Sequence, residues 1–204
     1  MVELKNSSLT VRIAERGAEI VSVKNAAGYE YIWQADPKFW AKHSPLLFPV
    51  CGRLLGNFGS HEAYAAGGEF SDWSVRFEHT EDLTLAEQKG GYLTGRALPY
   101  ARGVRELPLN YEMFADDSML FRGLKSRRIR LLHAGKPVTE VEFSPYEHLL
   151  LWTKPGAPYI CIEPWNGVPD YADADGELPH KKGILRIDGG GEIEMEHAVT
   201  FFTE

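Results

Sequence analysis

Residues 73–78, WSVRFE, alternate apolar and polar side chains at every position, which is the period of a strand that buries one face. Breaks rich in glycine, proline, asparagine and aspartate separate several such runs, and helical spacing is confined to two short turns, at residues 37–42 and 110–114. The same alternation recurs in residues 9–13, 18–23, 138–143 and 148–153. Because closely spaced strands with few helices favour an antiparallel sandwich, the sequence predicts an all-β fold with a single domain, residues 1–204.

The C-terminal part of the chain has the clearest period of two. Every second residue from Ile193 to Phe201 is predicted to face one way, and residues 184–187 are predicted to pair with this strand across a turn at residues 189–191. Residues 88–108 are rich in glycine and arginine, so we expect a loop there.

Composition and charge narrow the classes of protein. The 204 residues are 44% hydrophobic and 25% charged, as in globular chains and unlike disordered ones. The formal charge of −7 repels phosphate, which argues against nucleic acid and anionic membranes as partners. No apolar run approaches the roughly 20 residues of a membrane helix and the N-terminus lacks signal-peptide features, so we expect a cytoplasmic protein. In that compartment Cys51 and Cys161 are expected to be buried, reduced thiols.

Two segments in the first third of the chain carry side chains suited to a polar substrate. In the proline-broken run of residues 44–57, Arg53 follows a glycine, and its guanidinium fork suits hydroxyls or a carboxylate. His61 stands between small residues and an aromatic, which predicts enough exposure to titrate, and histidine transfers protons near neutrality. An arginine on a loop and an ordinary polar histidine are the alternatives without catalytic roles.

Residues 159–167, YICIEPWNG, form the third such segment, an apolar strand with a glutamate at its predicted end. Pro164 is expected to stop strand pairing there. Ile162 and Trp165 are expected to desolvate the Glu163 carboxylate and to raise its pKa toward the values of a general base. Trp165 also offers an aromatic face to a sugar ring. A strand-terminal glutamate that faces water is the alternative.

Taken together, these segments resemble the aldose 1-epimerase (galactose mutarotase-like) family. GSHEAY at residues 59–64 is similar to the family's Gly-x-His-Pro-x-aromatic segment, with Glu62 where proline is usual. The other similar stretches are GAEI at 17–20, EYIW at 30–33, FW at 39–40, PLLFPVCGRL at 45–54, LFRGLKSRRIRL at 120–131 and YICIEPWNG at 159–167.

This resemblance implies a mutarotase-like β-sandwich that interconverts the α and β anomers of a free aldose, without a metal or cofactor. A base takes the proton of the anomeric hydroxyl while an acid protonates the ring oxygen, so the ring opens and recloses on either face. By motif position the base is Glu163, the acid is His61, and Arg53 holds sugar hydroxyls. Further candidates for a sugar contact are Asp116, Asp117 and Asp170.

The sequence departs from this family in one region. Family members carry several strands and a His-Gly-aromatic motif, with a second active-site histidine, between the segments that end at Asn57 and begin near His61. Because these segments are almost adjacent here, we expect a sandwich shortened by an internal deletion. Lost strands expose sheet edges, so we also expect a homodimer that covers them.

Two other functions stay open at this point. A chain that lacks the second histidine can keep the fold and bind carbohydrate, or serve as a scaffold, without turnover. The cluster of Arg96, Arg102 and Arg105 suits the phosphate of a sugar phosphate, although a solvated loop explains it as well.

Overall fold

The computed structural model describes residues 1–47, 50–51, 54–55 and 58–203, and the side chains among these outside residues 50–60. The described residues form an all-β protein whose strands pair antiparallel, as the sequence predicts. The strands are β1 (Val2–Lys5), β2 (Leu9–Ile13), β3 (Ile20–Asn25), β4 (Leu46–Leu47), β5 (Val50–Cys51), β6 (Leu54–Leu55), β7 (Phe58–Ser60), β8 (Glu62–Ala65), β9 (Trp73–Lys89), β10 (Tyr92–Pro108), β11 (Met119–Phe121), β12 (Arg128–His133), β13 (Lys136–Glu142), β14 (His148–Trp152), β15 (Tyr159–Asn166) and β16 (Ala198–Phe201).

Eleven of these strands form one large sheet in the order β16-β13-β12-β9-β11-β14-β15-β7-β4, with β10 paired to β9 and β8 paired to β15. The alternation predicted to form strands at residues 9–13 and 18–23 corresponds to β2 and β3, which pair as a hairpin and form a three-stranded sheet with β1. Residues of both sheets share one core, in which Val23 of β3 packs in the same cluster as Val75, Leu131 and Ile162 of the large sheet. Strands such as β9 and β13 therefore alternate because one face is buried, whereas β15 is buried on both faces.

Helical structure in the described residues consists of short 3-10 turns. These are Arg16–Ala18, Phe70–Asp72, Tyr111–Phe114 and Leu178–His180. The third confirms the turn predicted at residues 110–114, where the Asn110 side chain accepts a hydrogen bond from Met113 N as an N-cap. No helix in the described part of the chain is long and apolar enough to cross a membrane.

The expectation of a loop at residues 88–108 is wrong, because most of this segment is the 17-residue strand β10. β10 pairs with β9 through several register shifts, one of which spans Gly95 and another Gly103, both at positive φ. Glycine is common in such bulges because it adopts a positive φ, so the glycines that suggested a loop are compatible with a strand. Most residues of β10 are exposed or half-buried on both faces of the strand, so its sequence does not alternate.

The prediction of a C-terminal hairpin between residues 184–187 and the strand from Ile193 to Phe201 is also wrong. Residues 184–197 contain no strand, and β16 begins at Ala198 and pairs with β13. Three of the alternating apolar residues, Leu185, Ile187 and Ile193, are more than 40% exposed, and only Met195 in this segment packs against the core. The segment is held by side chains instead, and Asn166 Nδ2 donates to Met195 Sδ over 3.2 Å.

β15 does not stop at Pro164, contrary to the expectation from the sequence, and Glu163 lies inside the strand. On one side β15 pairs with β14 from Cys161 to Trp165, with Leu149 opposite Pro164. On the other side it pairs with β8 as far as Ile162 and with β7 from Trp165 onward. Glu163 and Pro164 fall between these two ladders, where a missing N–H is tolerated.

A buried polar network fixes the loop before β12 to β9, and it allows a test of the fold. The Ser126 hydroxyl, fully buried, donates to Glu81 Oε1 over 2.6 Å and accepts from His79 N over 3.0 Å. Because Ser126→Ala leaves a buried carboxylate short of a donor, we expect it to lower the free energy of unfolding by about 1–3 kcal/mol. Urea titrations of the variant and of Ser7→Ala, an exposed turn position, measure this. Equal stability of the two variants would show that the network contributes nothing.

Candidate active site

The register between β8 and β15 brings His61 and Glu163 together. Glu62 pairs with Ile162 and Ala63 with Cys161, so His61, directly before β8, faces Glu163. His61 Nδ1 lies 2.7 Å from Glu163 Oε2, the distance of a charge-assisted hydrogen bond, although the groups are not aligned as one. The side chains are 15% and 1% exposed, so His61 is more buried than the sequence suggests.

Burial dominates the electrostatics of Glu163. Loss of water raises the pKa of its carboxyl, and the carboxylate of Glu62 raises this pKa further. His61 and the indole N–H of Trp165 lower the same pKa, with the smaller effect. The increase in pKa is the one predicted from the apolar neighbours, and it moves the carboxyl toward the range in which it can both accept and release a proton near neutrality.

The second ring nitrogen of His61, Nε2, contacts the thiol of Cys161. Cys161 precedes Glu163 by two residues on the same face of β15, and its Sγ lies 3.2 Å from His61 Nε2. Cys161 is a free, fully buried cysteine, as the sequence predicts, and burial raises the pKa of its thiol well above the ordinary value. The side chain of Cys51 lies outside the described residues.

Two tryptophans enclose the histidine. The ring of Trp40 lies over His61, with centroids 4.9 Å apart at 31°, and Trp152 approaches to 6.0 Å. Beside this group is a cavity of about 410 Å³, a size typical of small-molecule sites. Its lining comprises Trp40, Lys42, Pro45, Leu47, His61, Asp117, Ser118, Leu150, Trp152, Glu163 and Trp165.

The structure gathers some of the predicted site residues and separates others. Trp165 and Asp117 line the cavity with His61 and Glu163, as an aromatic wall and a polar edge. Asp170 does not line it. Its carboxylate forms a largely buried ion pair with Lys181 and borders a separate cavity of about 420 Å³ in residues 170–182. Arg53 lies outside the described residues.

The remaining candidates lie away from this cavity. Asp116 borders a neighbouring cavity with Asp117. Arg96, Arg102 and Arg105, considered for a sugar phosphate, lie on β10, and none of them lines the cavity beside Glu163. Arg96 Nη1 lies 3.6 Å from Glu87 Oε1.

Sequence reasoning missed Trp40, Trp152 and Cys161 as parts of the site. In the sequence, Trp40 stands out only by the resemblance of residues 39–40 to a family motif, and Trp152 only as part of an alternating strand. The register of β14 and β15 gives the position of Trp152. It pairs with Cys161, which lies on the same face of the sheet as Glu163. The available signal was the spacing of two between Cys161 and Glu163, which places both on one face of a strand.

A second histidine–glutamate pair lies on the opposite face of β8. Glu62 Oε1 is 2.8 Å from His197 Nε2, with side chains 7% and 19% exposed. The hydrogen bond with Glu62 raises the pKa of His197, against the opposing effect of burial. This pair attaches the strand-free segment before β16 to the core of the large sheet.

No family model matches the chain, but two curated relatives do. The chromosomal and plasmid forms of protein LacX from Lactococcus lactis subsp. lactis are each 23% identical to it, over 91% of this chain and 94% of the relative. The alignment spans 282 positions, more than the 204 residues of the chain, so the relatives contain stretches without a counterpart here. A shortened chain is what the sequence predicts.

Solved structures share the whole fold. A galactose mutarotase related enzyme from Lactobacillus acidophilus is 20% identical with a TM-score of 0.89, over 99% of this chain and 97% of that one. A galactose mutarotase-like protein from Lactobacillus casei is 20% identical with a TM-score of 0.84, over 98% and 97%. A putative aldose 1-epimerase from Escherichia coli K12 is 10% identical with a TM-score of 0.58, over 97% and 95%. The chain therefore has the galactose mutarotase-like fold, and the resemblance read from its sequence is confirmed at that level.

The Glu62–His197 pair gives stability a defined dependence on pH. Because the folded-state pKa of His197 is raised, its contribution is complete below the unfolded value of about 6.5 and is lost as the pH rises through the folded value. We expect His197→Gln to lower the free energy of unfolding by about 1.5–3 kcal/mol near pH 6, the range for a hydrogen bond to a charged group, and by less near pH 9. Denaturant titrations at both pH values measure the difference, and the control is His180→Gln, whose contact with Asp175 is solvent-exposed and therefore contributes little to stability. A loss that is the same at both pH values would contradict this account.

Proposed function

We propose that this chain is an aldose 1-epimerase-like isomerase that interconverts the α and β anomers of a free aldose. The observation that carries the proposal is the His61–Glu163 contact of 2.7 Å beside a cavity walled by tryptophan. A proton donor and a proton acceptor in contact suit a reaction that needs both at neighbouring oxygens of one substrate. The fold, shared with proteins described as galactose mutarotase related, supports the same assignment.

Glu163 acts as the base in this proposal. Its Oε2 is buried and, among the described residues, has no aligned hydrogen-bond donor. The anomeric hydroxyl of a bound sugar supplies that donor, and Glu163 removes its proton as the C1–O5 bond breaks and the C1 carbonyl forms. Because burial raises the pKa of Glu163, the carboxylate is a stronger base than an exposed one.

His61 acts as the acid that protonates the ring oxygen as it leaves C1. After rotation about C1–C2, the hydroxyl returns its proton to His61 while Glu163 protonates the new anomeric oxygen, so both residues are restored. Each ring nitrogen of His61 already contacts a protein group, Glu163 or Cys161. The bound sugar must therefore replace one of these contacts.

The cavity offers the surfaces that a monosaccharide needs. Trp40, Trp152 and Trp165 present rings to the C–H faces of a pyranose, and Asp117 and Lys42 offer polar groups to its hydroxyls. The proposed role of Arg53 is to hold further hydroxyls with its guanidinium. Asp170, paired with Lys181 beside a separate cavity, is assigned no contact with the sugar.

A carbohydrate-binding protein without turnover is the second candidate. The engagement of both nitrogens of His61, together with the cover of Trp40 over its ring, favours this function. Both an epimerase and a carbohydrate-binding protein bind sugar, but only the epimerase accelerates mutarotation. Measurement of the mutarotation rate therefore distinguishes the two functions.

A homodimer remains part of the proposal. Leu93, near one end of the 17-residue strand β10, bridges to Tyr171, and the rest of the free edge of β10 pairs with no further strand in the described part of the chain. Such an edge invites pairing with a second copy. Light scattering at micromolar concentration tests it, and a strictly monomeric chain would exclude it.

The first test is mutarotation itself. We expect the chain to accelerate the mutarotation of freshly dissolved α-glucose or α-galactose, followed by polarimetry, and Glu163→Gln to lower the rate by about 100-fold or more, because the amide cannot accept the proton. Glu147→Gln, whose side chain is 72% exposed, is the matched control with an unchanged rate. Wild-type activity retained in folded Glu163→Gln would remove Glu163 from the mechanism, whereas sugar binding by a wild type without activity would favour the second candidate.

The pH profile tests the acid. If His61 donates the proton, the rate depends on its protonated form, and the profile has a limb that falls as pH rises. We expect His61→Asn to abolish that limb and to lower the rate by about 100-fold. His180→Asn, at a largely exposed histidine, should keep the wild-type profile. An unchanged limb in folded His61→Asn would exclude His61 as the acid.

A further inference from the structure

The two ring nitrogens of His61 differ in what they contact. Nδ1 lies 2.7 Å from Glu163 Oε2, and Glu163 lines the cavity of about 410 Å³ together with His61. Nε2 lies 3.2 Å from Cys161 Sγ, and Cys161 is fully buried and is not among the residues that line this cavity. A sugar in the cavity can therefore approach Nδ1, whereas the sulfur covers Nε2.

The surroundings of the ring hold it in this orientation. Cys161 and Glu163 lie two residues apart on the same face of β15, whose residues are all buried, so one rigid strand sets the position of both contacts. Trp40 lies over the ring at a centroid distance of 4.9 Å, and Trp152 approaches it to 6.0 Å. Packing on these sides hinders a rotation that would bring Nε2 to the cavity.

A histidine that acts as an acid needs an acceptor for its second hydrogen. An imidazole that gives up a proton and becomes neutral carries hydrogen on both nitrogens before the transfer. One hydrogen goes to the substrate, and the other stays on the ring, where a buried donor without a partner is costly. Cys161 Sγ lies in position to accept this second hydrogen from Nε2.

The weakness of a thiol as an acceptor suits this task. The carboxylate of Glu62 lies 2.8 Å from His197 and raises the pKa of that histidine, so a carboxylate in place of Cys161 would make His61 hold its proton more tightly. Burial raises the pKa of the Cys161 thiol well above its ordinary value, and the carboxylates of Glu163 and Glu62 add to this effect. The sulfur therefore stays neutral, and it orients the ring without binding its charge.

We propose that Cys161 is a positioning residue, whose sulfur accepts the Nε2 hydrogen so that His61 exchanges its proton with the sugar through Nδ1. This role rests on the proposed function and specifies which contact the sugar replaces, the one between Nδ1 and Glu163. The electron pair of the breaking C1–O5 bond takes the Nδ1 proton. Glu163 Oε2 takes the proton of the anomeric hydroxyl, and the electron pair of that O–H bond forms the C1 carbonyl.

The geometry of the protein atoms matches this pair of transfers. The ring oxygen and the anomeric oxygen of an aldose are bonded to the same carbon, so they are close neighbours. Nδ1 and Oε2 lie side by side at 2.7 Å. Two hydrogen bonds can therefore form next to each other, from Nδ1 to the ring oxygen and from the anomeric hydroxyl to Oε2.

Nitrogen NMR of the full chain, with isotopically labelled histidine, tests which nitrogen contacts the sugar. The two resonances of His61 are identified as those missing from His61→Asn, and glucose and galactose are the probes. We expect saturating sugar to shift the Nδ1 resonance and to leave Nε2, still bearing hydrogen, nearly unchanged. A shift of Nε2 with Nδ1 unchanged, or an Nε2 without hydrogen in the sugar-bound protein, would overturn the proposal.

Variants at Cys161 test its effect on the rate. Cys161→Ala removes the acceptor, and we expect it to lower kcat for mutarotation by about 10- to 100-fold with little change in KM, because the acid loses its orientation. Cys161→Ser keeps an acceptor at this position and should retain most of the rate. Ile160→Val, a truncation at a fully buried neighbour on the opposite face of β15, is the matched control with an unchanged rate.

The outcomes separate this role from the proposed function. Wild-type kcat in folded Cys161→Ala would overturn the role of Cys161 while the chain remains an epimerase. A wild type that binds sugar without accelerating mutarotation would exclude the enzyme, and the NMR titration, which needs binding but no turnover, would still identify the nitrogen. The same titration gives the answer if Cys161→Ala fails to fold. A wild type that binds neither sugar would exclude both.

Discussion

The buried carboxylate of Glu163 is the constraint on which the site depends. A charge that is 1% exposed in the middle of a sheet is costly unless a cation or a donor meets it. Along β15 this carboxylate lies between the residues that pair with β8 and those that pair with β7. His61 is the residue that links β7 and β8, so it lies opposite Glu163. Trp40 and Trp152 then limit the access of water to the pair. The aromatic wall and the nearby thiol are arranged around that one placement.

The sequence was sufficient to predict the strands that bury one face, and it was insufficient to predict the other strands. Alternation identifies a strand because the core accepts every second side chain, as in β9 and β13. β10 has no such face to bury, so a 17-residue strand resembled a loop. The opposite error occurs at residues 184–197, where alternation is present but no neighbouring strand pairs with it. Pairing is decided by the rest of the chain, which a local pattern does not contain.

The same division holds for the candidate site. The residue types of His61 and Glu163 and their neighbours in the sequence suggested a proton donor and a proton acceptor, but each separately and without a contact between them. Their contact depends on the register of two strands that are about 100 residues apart, and so does the approach of Cys161 to the ring. Asp170 shows the converse, since nothing near it in the sequence predicts that Lys181 will pair with its carboxylate.

The placement of His61 and Glu62 on opposite faces of one strand also protects the fold from mispairing. Each residue meets an oppositely charged or proton-sharing partner, Glu163 on one side and His197 on the other. A slip of β8 by a single residue would turn Glu62 toward Glu163, carboxylate against carboxylate, and would drive the imidazole into the hydrocarbon core. The two adjacent residues therefore disfavour a slipped register of β8 against β15, in addition to any part they take in the chemistry.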